Sequence, residues 1–169
     1  MLQGEEVSLE EILDAREERV YIQNELIKKY NLPILSFTMN IPGPVKTNEA
    51  IRKAFEYGKI KLLEKLEKNN TKILELKQKN TKTGDELWIV ADIKADDLKR
   101  IAIDIEEASF LGRIFDMDVI DVNFKKLSRN SFRKCLICDM QAQECGRSRR
   151  HSVEELQSKI EEILKINIK

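Results

Sequence analysis

A net charge is the first thing this chain lacks. Lys plus Arg and Asp plus Glu each number 30, so the chain is formally neutral. No global field therefore argues for a nucleic-acid partner or an anionic membrane. Cysteine is scarce and odd in number, three in all at Cys135, Cys138 and Cys145, which excludes a disulfide scaffold. No apolar stretch approaches the roughly 20 residues of a membrane span. The opening MLQGEEVSLEE has neither the basic start nor the apolar core of a secretory leader, so a cytoplasmic location is expected. There is no internal repeat, no low-complexity linker and no Gly-x-Gly phosphate loop. A length of 169 residues is expected to form one domain, 1–169, large enough to bury a sizeable core.

What is present falls into three stretches. In 8–30, Ser8 and Glu11 form a capping-box pattern ahead of a helix whose apolar stripe takes in Ile12, Leu13, Val20 and Ile27. Residues 33–122 alternate between strand and helix patterns: LPILSFTMNIPG as a strand, a helix from about Asn48 to Asn69, the strands TKILELKQ and ELWIVADI, the helix ADDLKRIAIDIEEAS, and GRIFDMDVIDV as a fourth strand. That order predicts an α+β fold with a ferredoxin-like βαββαβ core. Residues 123–169 continue as a basic, cysteine-bearing segment expected to be irregular to residue 151. A C-terminal helix follows, capped by Ser152 and Glu155, with Val153, Leu156, Ile160, Ile163 and Leu164 inward.

The run GRIFDMDVID carries the sharpest chemical signal. In an extended strand Ile114, Asp116, Asp118, Ile120 and Val122 share one face, and Arg113, Phe115, Met117 and Val119 the other. Both helices of the core are expected on the Phe115 side, leaving the two acids on an open face. Two adjacent carboxylates repel unless something positive lies between them. Asp-x-Asp on a strand can aim both groups at one Mg²⁺; the other reading is a wet strand face with lysine partners. Cys135, Cys138, Cys145 and His151, the only histidine, have the composition of a Cys₃His zinc site. They equally suit a cluster of reduced thiols, or a histidine acting as acid or base near the carboxylates. In TMNIPGPVK, residues 38–46, Asn40 and Lys46 flank a stiff Pro-Gly-Pro turn where an anion could bind. From Lys125 to His151 eight basic residues stand against two acidic ones, a segment suited to a polyanion or simply a solvated face.

Seven stretches together resemble one family. AREERVYIQ (15–23), FTMNIPGPVK (37–46), TGDELW (83–88), IEEASFLGRIFDMDVID (105–121), LSR (127–129), RKCLIC (133–138) and CGRSRRHSVEEL (145–156) are similar to the holo-citrate lyase synthases, the apo-citrate lyase phosphoribosyl-dephospho-CoA transferases. The resemblance implies transfer of 2′-(5″-triphosphoribosyl)-3′-dephospho-CoA to a serine of the citrate lyase acyl carrier protein, the gamma subunit, with release of pyrophosphate. On that implication Asp116, Asp118 and Arg113 are the catalytic candidates, with Mg²⁺ on the acid pair. Arg129, Arg147, Arg149 and Arg150 are expected to grip phosphates, joined by Asn40 and Lys46, with Arg16 and Arg19 further out. Two competing functions are a zinc-stabilised module that binds an acidic carrier protein without catalysis, and another metal-dependent nucleotidyltransferase.

Overall fold

The computed structural model describes residues 2–168. Helix α1 (Leu9–Tyr30) precedes β1 (Ile34–Met39), α2 (Glu49–Lys68), β2 (Lys72–Thr81), β3 (Gly84–Asp92) and α3 (Ala95–Glu107). A 3₁₀ turn (Leu111–Ile114) leads into β4 (Phe115–Ile120), followed by α4 (Ala142–Ser148) and α5 (Val153–Asn167). The fold is α+β, and its strands form one sheet of order β2-β3-β1-β4 in which every neighbouring pair is antiparallel. Both anticipated capping boxes form: Glu11 N–H donates to Ser8 Oγ at 3.2 Å, and Glu155 N–H to Ser152 Oγ at 3.1 Å. Each satisfies amide groups that a helix start leaves without a partner.

One sheet face carries Leu35, Phe37, Leu87, Ile89, Phe115, Met117 and Val119, and packs on the apolar sides of α2, α3 and α5. The opposite face is not open as expected. At one end Ile34, Trp88, Val90 and Ile120 are covered by Ile22, Leu26 and Ile27 of α1. The cause is β3: LWIVA is apolar at every position, so it needs cover on both sides. Only the C-terminal half of α1 supplies it. The expected stripe is therefore corrected, because Leu13 and Val20 are 48% and 53% exposed. The first half of α1 instead lies along the β2–β3 hairpin, held by Lys82–Glu11 and Lys79–Glu18 ion pairs.

Three further expectations change. The fourth strand begins at Phe115 rather than Gly112, and Val122 lies beyond its end. Ile114 consequently leaves the Asp116 face and joins the core with Phe115. Residues 123–151 are not wholly irregular, since α4 interrupts them. Val153 is 44% exposed, so α5 turns inward only from its second turn.

Gly112 sits where the 3₁₀ turn passes against the end of α3. A Cβ there would lie 2.6 Å from the Glu106 carbonyl oxygen and would also collide with that of Ile105. Both obstacles are backbone and cannot rotate away. Gly112→Ala should thus cost about 1–3 kcal/mol, the usual range for overpacking. Urea denaturation checks this; an unchanged midpoint would show that the turn can lift off α3 freely.

Candidate functional site around the edge of strand β4

β4 is an edge strand, and its outward peptide groups need partners. Side chains provide most of them. Lys99 Nζ donates to the Met117 carbonyl at 3.1 Å, and Met117 N–H donates to Glu106 Oε2 at 3.2 Å. Arg133 donates to the Phe115 carbonyl at 2.9 Å, and Leu127 N–H to the Val119 carbonyl at 2.9 Å. Glu106 is only 3% exposed and also pairs with Arg129 at 2.9 Å and Arg133 at 3.3 Å. Arg129 reaches Glu107 as well, at 2.9 Å. Lys99, Glu106 and Arg133 are not among the site residues expected from the sequence. The available signal is that Lys99 and Glu106 are seven apart, on one side of α3 beside its apolar stripe.

Asp116 and Asp118 project from the α1 side of the sheet, opposite Thr38 and Ser36 of β1. Asp118 pairs with Lys126 at 3.3 Å. Asp116 receives no hydrogen bond or ion pair from the described residues, although it is half-buried. Burial raises its carboxyl pKa above the ordinary range; the negative charges of Asp118 and Glu106 push the same way, against Lys126 and Arg133. A cleft of about 650 Å³ opens here, lined by Asn40, Lys99, Asp116, Asp118, Lys126 and Arg133 among others. The acid pair is thus short of positive charge inside a cleft whose rim is basic.

A second cleft, about 670 Å³, shares Asn40, Arg133 and Ala142 with the first and continues past Arg113, Arg149 and His151. Arg113 donates to the carbonyls of Lys134 and Cys135, so it ties the cysteine segment to the 3₁₀ turn. Asn40 stands at the shared wall, its N–H donating to the Ile114 carbonyl at 2.8 Å. Arg149 enters this cleft from a left-handed backbone position, φ 48°. Arg147 and Arg150 are exposed and line neither cleft.

The remaining basic candidates gather elsewhere. Arg19 on α1 pairs with Glu86, which is two residues from Trp88 and so on the same sheet face. Lys46 donates to the Ile41 carbonyl at 2.7 Å; burial, then the nearby Arg16 charge, lowers its pKa. Arg16 and Lys46 are therefore neighbours, outside both clefts. The Pro-Gly-Pro turn between Asn40 and Lys46 is seated on α5, where Gln157 donates to the Pro42 carbonyl at 3.2 Å.

In the wall of the second cleft, which Cys135, Cys145 and His151 line, the three cysteines and the histidine converge. One donor atom from each of Cys135, Cys138, Cys145 and His151 lies within 4.8 Å of every other. Cys138 Sγ is 3.5 Å from Cys145 Sγ and 3.3 Å from His151 Nε2. All three cysteines are free. The His151 hydrogen bond, above all, pulls the Cys138 thiol down to about 6, and burial pushes Cys145 up to about 11. Such a donor set could hold a metal such as zinc.

Comparison with known proteins agrees with the resemblance seen in the sequence. A probable apo-citrate lyase phosphoribosyl-dephospho-CoA transferase of Vibrio cholerae is 40% identical over 162 residues, covering 93% of this chain and 91% of the relative. One of Streptococcus pyogenes, also named as probable, is 37% identical over 169 residues, covering 95% and 87%. The apo-citrate lyase phosphoribosyl-dephospho-CoA transferase of Citrobacter koseri is 33% identical over 162 residues, covering 94% and 88%. The family model described as apo-citrate lyase phosphoribosyl-dephospho-CoA transferase matches residues 7–166, and with nearly the whole chain spanned, this protein belongs to that family.

Proposed function

We propose that this chain transfers the 2′-(5″-triphosphoribosyl)-3′-dephospho-CoA group to a serine hydroxyl of the citrate lyase acyl carrier protein, the gamma subunit. The serine hydroxyl gives up its proton to solvent as its oxygen bonds to the α-phosphorus, the bond to the β-phosphate bridging oxygen breaks, and pyrophosphate carries away the charge. The observation that supports this reading is the unpartnered Asp116 beside Asp118 in a cleft rimmed by basic groups. A non-catalytic module that binds an acidic carrier would have no use for two crowded carboxylates there.

Mg²⁺ fits this pair, because the carboxylates leave one strand face together and Lys126 is the one cation paired with them among the described residues. Bound, the ion would neutralise phosphate oxygens. The protein's own part is positioning and charge. In this reading Asn40 and Arg149 meet phosphates where the clefts join. Arg113 and Arg129 already hold protein acceptors, so they shape the wall of the cleft and turn to phosphate when substrate competes for them. Arg147 and Arg150 extend the basic rim; Arg16, Arg19 and Lys46 form an outer basic group. The antiparallel sheet with α2 and α3 is read as a ferredoxin-like core, to which α1 and the α4–α5 tail are additions. Reduced cysteines suit a cytoplasmic setting.

The test is direct. Incubation with apo-carrier protein and the triphosphoribosyl precursor should raise the carrier's mass by the prosthetic group and release pyrophosphate in equal amount. A carrier mass that stays unchanged with every divalent cation tried would overturn the assignment.

A further inference from the structure

We propose that Cys135, Cys138, Cys145 and His151 hold one Zn²⁺, and that this ion is structural, fastening residues 133–151 to the turn that carries Arg113. This inference stands apart from the transferase reading and does not depend on it.

The local fold brings the ligands together in three pieces. Lys134 and Gln141 form an antiparallel bridge, with Cys135 N–H donating to the Met140 carbonyl and Ala142 N–H to the Arg133 carbonyl, both at 2.8 Å. This small hairpin supplies Cys135 and Cys138. Helix α4 supplies Cys145 and ends at Arg149 in the left-handed conformation. The chain then turns so that His151 arrives just before the Ser152 cap of α5.

The spacing is that of a metal set. Tetrahedral zinc, with Zn–S near 2.3 Å and Zn–N near 2.0–2.1 Å, places two sulfurs roughly 3.8 Å apart and a sulfur and a nitrogen roughly 3.5 Å apart. The observed separations of 3.5 Å for Cys138–Cys145 and 3.3 Å for His151–Cys138 lie within a few tenths of an ångström of those values, and no donor pair of the four exceeds 4.8 Å. A disulfide would need about 2.05 Å between sulfurs. Ile137 N–H also donates to Cys135 Sγ at 3.4 Å, the kind of amide contact that eases charge on a ligating thiolate.

Burial shows why a metal is needed. Across residues 128–151 only Cys135 and Cys145 are buried. Two thiols cannot serve as a hydrophobic core for a segment of this length, whereas zinc binding supplies folding free energy outright. On binding, each of the three thiols gives its proton to solvent and His151 stays neutral, leaving a centre of net charge −1. The exposed cations Lys134, Arg147, Arg149 and Arg150 on the same segment offset that charge. Four protein donors fill a tetrahedron, leaving no open position for substrate or water, which marks a structural site. Its grip passes to the rest of the protein through the Lys134 and Cys135 carbonyls that Arg113 holds.

The full chain, purified without chelator, should carry about one equivalent of zinc. Cobalt exchanged into it should give the intense d–d bands of a tetrahedral site and strong thiolate-to-cobalt charge transfer. Chelation should lower the melting temperature by roughly 10 °C or more, restored by Zn²⁺ and not by Mg²⁺. His151→Cys should keep the metal and Cys145→Ser should lose it. The cobalt spectrum of the unsubstituted chain decides the matter even if a variant fails to fold. Zinc below about a tenth of an equivalent, with no cobalt–thiolate band and a melting temperature indifferent to added zinc, would overturn the proposal. None of these readouts uses the carrier or the precursor, so they stand whatever the transfer assay returns.

Discussion

Asp116→Asn and Asp118→Asn should each lower the rate of carrier modification by about a hundredfold or more, the scale of losing one preorganised charge-stabilising group. Both variants should remain folded. The two carboxylates crowd one strand face, and Asp116 has no hydrogen-bond or ion-pair partner among the described residues to lose. Asp116→Asn should in fact be somewhat more stable than the parent at neutral pH. The sign follows from its raised pKa: a carboxyl that holds its proton more tightly when folded weakens the folded state once ionised. That penalty is complete above the folded-state pKa. It fades as pH falls through that value towards the ordinary aspartate range, so the advantage of the Asp116→Asn variant should vanish in acid. Carrier labelling across a Mg²⁺ titration, with urea denaturation at neutral and acid pH, measures both effects. Parent-like transfer by both variants would reduce the acid pair to the wet side of a strand.

The same pair shows how far the sequence reaches. Alternation along FDMDVI is enough to place Asp116 and Asp118 on the sheet face opposite α2 and α3, because side-chain direction in a strand has a strict period of two. The need for cover on that face is written in the unbroken LWIVA of β3, but no local pattern says which element provides it. Leu13 and Val20 match a helical stripe as well as Ile27 does, yet only Ile27 lies over apolar strand residues. Local spacing cannot register what a helix is laid against. The arginines teach a related lesson. A guanidinium in the sequence looks free to take a phosphate, whereas Arg113, Arg129 and Arg133 each have protein acceptors supplied by residues 18 to 23 positions away. Cys135, Cys138, Cys145 and His151 are legible as a composition. Their approach to within 4.8 Å depends on the hairpin, α4 and the α5 cap together.

Glu106, itself buried, is the residue on which Arg129 and Arg133 depend, and Glu106→Gln should cost about 3–5 kcal/mol of stability, the range for removing one partner of a buried ion pair. Its carboxylate does three things at once: it accepts the Met117 N–H from the β4 edge, pairs with Arg129 and pairs with Arg133. Gln retains an oxygen for the Met117 amide but no charge, so two guanidiniums lose their common counter-ion. Arg129, its side chain 13% exposed, keeps only the exposed Glu107. Glu106→Leu should be worse still, because Met117 N–H is then orphaned as well. Salt distinguishes this from a surface effect. The Glu106 pairs are buried and should respond weakly to ionic strength, while the solvent-facing Lys126–Asp118 pair should be screened. Removing Arg129 and Glu106 together, in Glu106→Gln with Arg129→Met, should cost less than the two single changes summed, since neither charge is left buried alone. Urea denaturation of the four proteins in the cycle gives the coupling directly. A Glu106→Gln midpoint equal to the parent's, with strictly additive singles, would mean that the cysteine segment holds itself against β4 without this carboxylate.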